Sequence, residues 1–419
     1  MIERRLLNEI RRHLRSKEIT FIIGPRQAGK TTLMLQLQDE LNKKGERTLF
    51  FNLDIENDKI FFTSQSKLLR KIELEIGKNK GVIFIDEIQR KEDAGLFLKG
   101  IYDMNTPYKF IVSGSGSVEL KEKIHESLAG RKRIFELSTL SFEEFVDYKT
   151  DYKYSKNLPS FYSVEFERLS EMLEEYLNFG GYPRVVLETE LKEKRNLIGE
   201  IFQSYIERDI TYLLKVHKPE AFSNLVRVLA GQIGRIVNYT ELSSTLGIAV
   251  NTLKEYLWYL EKTFIIRKVS PFFRNIRKEI TKSPVYYFND LGMRNYAIGS
   301  FGSVNDTGFL FQNFVYNLLY EQIKNSSAKI CFWRTKDKAE VDFVIDSGRD
   351  VYPIEVKYKR MSETEITRAL RSFIEKYRPA KAFIVNLSLK KSIKLNKTMV
   401  YIIPFYEIIF YFKERGLIL

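Results

Sequence analysis

Chemistry is written most densely near the start of the chain. The run Gly24-Pro25-Arg26-Gln27-Ala28-Gly29-Lys30-Thr31, followed by Thr32, fits G-x-x-x-x-G-K-[ST]. Residues 19–23 ahead of it are mostly apolar, and residues 32–37 behind it read as a helix. A strand, a glycine-containing loop and a helix start form a cradle whose backbone N–H groups meet phosphate oxygens, and the helix N-terminus adds positive potential. The spacing predicts that Lys30 reaches the β- and γ-phosphates of a nucleotide such as ATP, and that the Thr31 hydroxyl sits on its Mg²⁺.

A second segment completes that chemistry. Residues 81–87 read Gly-Val-Ile-Phe-Ile-Asp-Glu. A continuous apolar run is the pattern of a strand buried on both faces, as in a parallel sheet. Asp86 at its carboxyl end can hold the Mg²⁺, and Glu87 can orient or deprotonate an attacking water. A hydrolase needs such a base of its own. A following strand, 110–112, ends in Ser113-Gly114-Ser115, and either serine can hydrogen-bond the water or the γ-phosphate; the residues do not choose between them. Arg131, in Gly130-Arg131-Lys132-Arg133, is expected to stabilise transition-state charge in its own chain or in a neighbouring subunit of a homo-oligomer.

The last third carries a different constellation. Residues 340–345 and 352–357 read as two strands joined at Ser347-Gly348. Alternation puts Glu340 and Asp342 on one face, and Glu355 and Lys357 on one face. If those faces coincide, Asp342 and Glu355 supply two oxygen donors for Mg²⁺, and Lys357 can position a water or a phosphate. That is what a metal-dependent phosphodiesterase requires; a solvated strand pair with ordinary charges fits the same spacing.

The elements that must position these groups alternate between strand and helix. Ile2, Leu6, Leu7, Ile10 and Leu14 recur at helical spacing and predict a short helix docked on the sheet. Strands are expected at 18–23, 48–53, 82–85, 110–112 and 133–137, which argues for a parallel three-layer α/β unit with Asp54 on its ligand-facing edge. Residues 148–163 are polar and tyrosine-rich and predict a linker. Gly180-Gly181-Tyr182-Pro183 is a tight turn where backbone can approach a nucleotide base. Residues 222–288 read as a winged helix: a short helix with Thr240 as its N-cap and Gly247 as its stop, a longer helix from 251 to 260, and two wing strands. Arg274, Arg277, Lys278 and Lys282 between those strands suit DNA phosphates. The longer helix also carries Leu253, Tyr256, Leu257 and Leu260, as a packing module would. Further strands at 382–385 and 399–403 make the last part a complete α/β unit.

Composition narrows the partners. The chain has 419 residues, a formal net charge of +14 and 29% charged residues. Such a balance favours a polyanion, nucleic acid first, although a lysine-rich surface alone gives the same number. A single cysteine, Cys331, excludes an internal disulfide, and three histidines argue against zinc. The first residues lack the apolar core of a signal peptide. The longest apolar run, 400–412, is broken by Pro404 and Glu407. A cytoplasmic protein with no membrane partner is therefore expected.

Taken together, these motifs resemble the P-loop ATPases of archaea and bacteria that join an AAA-type core to a DUF4143 domain. The resemblance runs over nearly the whole length. It rests on residues 24–32, 85–89, 113–115, 130–131, 140–145, 180–183, 286–292 and 340–357. It implies a sheet of order 5-1-4-3-2, a helical lid, a winged helix and a C-terminal α/β domain similar to the PD-(D/E)xK restriction-endonuclease fold. It further implies a core at 1–150, lid and linker at 151–220, winged helix at 221–298 and nuclease-like domain at 299–419. The Gly-Gly-x-Pro turn looks like the nucleotide-sensing turn of signal-transduction ATPases, which places Pro183 at the nucleotide. One departure stands out: the first helix of the nuclease fold often carries a metal-binding glutamate, and Gln312 occupies that position. An amide oxygen can coordinate but adds no charge. The expected function is Mg²⁺-dependent ATP hydrolysis coupled to binding or remodelling of DNA, branched or single-stranded. The alternatives are a nucleotide switch with a protein partner and an ATP-gated nuclease.

Overall fold

A computed structural model describes residues 2–115, 128–205, 218–275, 279, 282–335, 337 and 339–414. The first layer is a five-stranded sheet of β1 (Ile19–Gly24), β2 (Thr48–Asn52), β3 (Gly81–Asp86), β4 (Tyr108–Ser115) and β5 (Lys132–Glu136). All its pairings are parallel, and the order is β2-β3-β4-β1-β5. Read from the other edge this is 5-1-4-3-2, as expected. The period of two explains why the strands are apolar throughout. Ile22, Phe84 and Ile111 face the helices Leu6–His13 and Lys30–Lys43, with Leu7, Ile10, Met34 and Leu37 against them. Phe21, Ile83, Ile85 and Val112 face the other way, toward Leu68 and Ile72 of the helix Gln65–Ile76 and Leu98 of the helix Ala94–Asp103. The amino-terminal helix thus docks on the sheet as its spacing predicts.

Helices follow at Phe142–Lys149, Leu158–Val164, Phe166–Phe179, Pro183–Leu187 and Leu191–Gln203. Ser141 and Glu144 close the first of them with a reciprocal capping box. The stretch at 148–163 is not a free linker. Phe161 and Tyr162 are buried, and the Tyr162 ring packs 6.4 Å from Phe142. Tyrosine satisfies both readings, because its ring is core material and only its hydroxyl is polar.

The described residues of 219–288 include the helices Pro219–Gly231, Tyr239–Leu246 and Val250–Lys262, then a hairpin of β6 (Ile266–Pro271) and β7 (Val285–Phe288). An isolated bridge joins Ile236 to Val285. The N-cap of the second helix is Asn238, whose side chain accepts from the Thr240 and Glu241 N–H groups, and not Thr240 itself. Gly247 stops that helix at φ +61°, as expected. Arg274 and Lys282 are exposed, whereas Arg277 and Lys278 lie outside the described residues.

The remaining strands are β8 (Lys329–Arg334), β9 (Glu340–Asp346), β10 (Val351–Val356), β11 (Lys381–Asn386), β12 (Lys391–Leu395) and β13 (Thr398–Pro404). They form one sheet with the hairpin, in the order β12-β13-β11-β10-β9-β8-β6-β7. β6 pairs parallel with β8, Ser270 opposite Cys331 and Pro271 opposite Phe332, so the division expected at 298 is crossed by a shared sheet. Helices Thr307–Ile323 and Phe405–Glu414 cover one face, where Phe314 and Phe405 meet Phe142 at ring distances of 5.2 Å and 5.8 Å. Among the described residues, no helix is long and apolar enough to cross a membrane.

Candidate nucleotide site

Strand β1 ends on Gly24 because nothing larger fits: a Cβ there would lie 2.1 Å from the Leu137 carbonyl oxygen. Gly29, at φ +95°, turns the chain into the helix Lys30–Lys43 from a left-handed conformation that glycine adopts freely. Between them Ala28 is fully buried, and the Arg26 N–H donates to the Tyr205 hydroxyl at 2.6 Å. Lys30 is buried. Its ammonium folds back over the loop and donates to the carbonyls of Gly24 at 3.1 Å and Pro25 at 2.8 Å.

Parallel registry brings three strand ends together. The Thr31 hydroxyl donates to Asp86 Oδ2 at 2.6 Å, and the Ser113 hydroxyl donates to Asp86 Oδ1. Asp86 is buried. Ser113 is the serine that β4 delivers between β1 and β3; the side chain of Ser115 lies outside the described residues. A hydroxyl and a carboxylate this close are hard oxygen donors of the kind Mg²⁺ takes. Glu87 follows in a left-handed conformation, φ 56°, and accepts from the Gln89 amide. Burial, then the neighbouring Asp86 charge, raises its carboxyl above the ordinary glutamic range, against the pull of Lys30. The change moves it toward the range useful in a base.

The loop, Thr31 and Glu87 line one cavity of 530 Å³, and Asp86 and Ser113 lie outside its lining. Arg26, Gln27, Gly29, Lys30, Thr31 and Thr32 form its floor, Asp54, Glu87 and Arg90 one wall, and Ile2, Pro183 and Leu187 another. Pro183 therefore reaches the cavity. The glycines before it do other work. At Gly180, φ +73°, a Cβ would lie 2.4 Å from Asp290 Oδ1; at Gly181 one would lie 2.4 Å from the Leu140 carbonyl oxygen. The close backbone approach at this turn is to Asp290 and Leu140.

Arg131 is not brought to the site. It precedes β5 beside Ile19, at the amino-terminal edge of the sheet, and its guanidinium donates to Asp103 at 2.8 Å. A parallel sheet puts that edge opposite its ligand-facing edge. Three other arginines line the cavity and were not singled out from sequence. Arg4 is buried and donates to the Ala28 carbonyl at 2.7 Å, to Glu144 at 3.2 Å and to the Ser138 carbonyl at 2.7 Å. Arg184 donates to Gln27 at 3.1 Å. Arg90 donates to Asp54 at 2.7 Å. Of these, only Arg90 had a signal in the chain, its position three residues beyond Glu87.

The C-terminal constellation also converges. Asp342 accepts from the Gln312 amide at 2.8 Å and from the Val356 N–H at 2.7 Å. Glu355 accepts from the Thr367 hydroxyl at 2.6 Å, with the Lys357 ammonium at 3.8 Å. Burial pushes the Asp342 carboxyl up to about 7 and raises Glu355. Gln312 thus meets Asp342 as a donor, and both Asp342 oxygens already hold an N–H. The Glu355 Oε2 atom is buried without a hydrogen-bond partner. No cluster of three or more acidic, histidine or cysteine side chains able to hold a metal occurs among the described residues.

Three protein-family models match successive stretches of the chain. Residues 16–146 match the AAA domain family described as "AAA domain", residues 170–303 a domain of unknown function, DUF8612, and residues 307–408 the domain of unknown function DUF4143. The "Uncharacterized protein Rv2008c" of Mycobacterium tuberculosis is 27% identical over 397 residues, covering 92% of this chain and 80% of that one. The "Uncharacterized protein MJ1544" of Methanocaldococcus jannaschii is 25% identical over 409 residues, covering 93% and 88%. Among solved structures, the replication initiator DnaA bound to AMPPCP and single-stranded DNA overlaps 62% of this chain and 90% of its own at 15% identity and a TM-score of 0.29. In chain order, the stretch that matches the AAA domain family carries the Gly24–Thr31 loop, and the stretch that matches DUF4143 carries the Asp342–Glu355 pair.

Proposed function

We propose that this protein hydrolyses ATP with Mg²⁺ and couples the hydrolysis to binding or remodelling of DNA. The observation that carries the first half is the junction of Thr31, Asp86 and Ser113 by hydrogen bonds, with Glu87 in the same cavity as the glycine-lysine loop. In this reading the Lys30 ammonium leaves the carbonyls of Gly24 and Pro25 for phosphate oxygens, which are stronger acceptors for a cation. Thr31 and Asp86 hold the Mg²⁺, which when bound neutralises charge on the β- and γ-phosphates. Glu87 takes the proton of the attacking water, and Ser113 orients Asp86. Pro183 and Leu187 shape the apolar side of the cavity.

The DNA half rests on charge and shape. The net charge is +14, and residues 219–288 have the helix order and hairpin of a winged helix. Asn251 and Lys254 are exposed on its longer helix, and Arg235, Arg274 and Lys282 are exposed near the hairpin. ATPase rates with and without branched and single-stranded DNA test the coupling. Stimulation that fades steeply with added salt supports phosphate contacts, and a rate indifferent to every DNA favours the nucleotide switch with a protein partner.

A second reading, an ATP-gated nuclease similar to the PD-(D/E)xK fold, is favoured by the buried, unpartnered Glu355 Oε2, an oxygen a cation would satisfy. Asp342 and Glu355 would hold that ion and Lys357 would face the phosphate. Titration with Mn²⁺ and incubation with DNA, each against Asp342→Ala, separates this reading from a site that only packs.

A further inference from the structure

Among the described residues four arginines line the cavity: Arg4, Arg26, Arg90 and Arg184. Arg4 is buried and bound to Ala28, Glu144 and Ser138. Arg184, in the helix Pro183–Leu187 on the other wall from Glu87, donates to Gln27 at 3.1 Å and to Glu200 at 3.5 Å. Arg26 is part of the loop itself, tied by its N–H to Tyr205. Arg90 is different. It lies at the carboxyl ends of β2 and β3, on the same wall as Glu87 and therefore on the side where the terminal phosphate would meet the base. The left-handed turn at Glu87 starts a short 3-10 helix, Ile88–Arg90, and the Arg90 N–H donates back to the Glu87 carbonyl at 3.0 Å. The Arg90 backbone is thereby held one turn from the base. Its partner is Asp54, at 2.7 Å, and each side chain of the pair is 48% exposed. An exposed pair of this kind is weak, whereas a planar guanidinium binds phosphate oxygens with two parallel hydrogen bonds.

We propose that Arg90 is a catalytic residue supplied by the chain that binds the nucleotide: its guanidinium exchanges Asp54 for the γ-phosphoryl oxygens as charge builds on them. Asp54 is its parking place when no triphosphate is present. The inference rests on the hydrolase reading above. In the assisted step a water oxygen bonds to the γ-phosphorus. The bond from that phosphorus to the β–γ bridging oxygen breaks, its electron pair stays with ADP, and the proton of the water passes to Glu87. Arg90 makes no covalent bond; it stabilises charge, as an arginine finger does. Arg131, at the far edge of the sheet, has no such access within its own chain.

The experiment compares full-length unmodified protein, Arg90→Ala and Arg90→Lys by steady-state ATP hydrolysis, and binding of a fluorescent non-hydrolysable ATP analogue by anisotropy. For Arg90→Ala, kcat is expected to fall on the order of 10³-fold while analogue affinity changes by no more than about threefold. Arg90→Lys should recover only part, because an ammonium cannot match the two-pronged contact. Arg90→Ala is then mixed with Lys30→Ala, whose own loop is disabled but whose Arg90 is intact; the mixture should stay inactive. A kcat for Arg90→Ala within about threefold of the unmodified protein, or activity restored by mixing, overturns the proposal and leaves the hydrolase reading standing. If the unmodified protein binds the analogue yet never hydrolyses ATP, the hydrolase reading falls and this inference falls with it.

Discussion

Glu87 shows how one residue is set by its surroundings. Burial and the adjacent Asp86 both oppose its ionisation, so its carboxyl is raised. A base must be ionised to act, so activity should be lost as pH falls through that raised value, an acid limb lying above the ordinary glutamic range. The kcat/KM profile of ATP hydrolysis against pH checks this. Glu87→Gln keeps the shape, cannot take a proton, and should lower kcat by roughly 10²–10⁴-fold while nucleotide stays bound. Turnover surviving that change would remove Glu87 from the role. Asp342 gives a matching prediction for stability. Its carboxyl titrates near 7 when folded, above an ordinary aspartic acid near 3.8. The folded chain therefore keeps a proton between those values that the unfolded chain has released, so stability falls as pH rises through that window. Asp342→Asn stays neutral throughout. Its melting temperature relative to the unmodified protein should rise by a few degrees between pH 5 and pH 8, followed by circular dichroism. A pH-independent difference would mean the carboxyl is ionised across the whole range.

At the scale of elements, the loop between β1 and its helix was legible because its chemistry and its geometry need the same residues. Gly24 and Gly29 serve close packing and a left-handed turn, and Lys30 and Thr31 are the residue types that phosphate and Mg²⁺ take, so four positions identify strand, loop and helix at once. The glycine pair at 180–181 is the counter-example. The sequence reveals that backbone comes close to something there but not to what, because Asp290 and Leu140 arrive from remote parts of the chain. Gly180→Ala would force a left-handed alanine and a Cβ onto Asp290, and should cost roughly 2–4 kcal/mol, read from urea unfolding. A change within experimental error would mean the turn moves freely. Strands β8 and β12 escaped prediction for a related reason. β12 is a lysine-bearing edge, exposed on most of its length, and its pattern is that of a loop until β13 pairs with it. β8, with Cys331, Phe332 and Trp333 in succession, carries no alternation because both its faces are covered. The N-cap at Asn238 was missed by two residues, since Thr240 is an equally good capping type and only the backbone dihedrals choose between them.

For the whole molecule, the question is whether the parts act as one body. Sequence divides the chain by motif, and packing reunites it. β6 crosses the expected boundary to pair with β8, and Phe142 meets Tyr176, Phe314 and Phe405 at ring distances of 5.2–5.8 Å. Phe314 and Phe405 lie far along the chain from Phe142, so no local pattern could announce those contacts. A polar path runs beside this seam: Arg4 bonds the loop at Ala28 and the Ser138 carbonyl, and the Ser138 hydroxyl donates to Glu321, which holds Lys324 at 2.7 Å. If lid and C-terminal sheet share a core, they should melt together. Scanning calorimetry is expected to give one transition for the part containing residues 140–414, and ATP analogue with Mg²⁺ should raise its midpoint, because a ligand bound only by the folded chain stabilises everything that unfolds with its site. Phe142→Ala removes the centre of the seam and should cost about 3–5 kcal/mol. Its informative effect is on cooperativity: the C-terminal domain should then melt in a separate step whose midpoint no longer responds to nucleotide. A C-terminal transition that is already separate and nucleotide-blind in the unmodified protein would show that the aromatic seam holds the domains in place without coupling them.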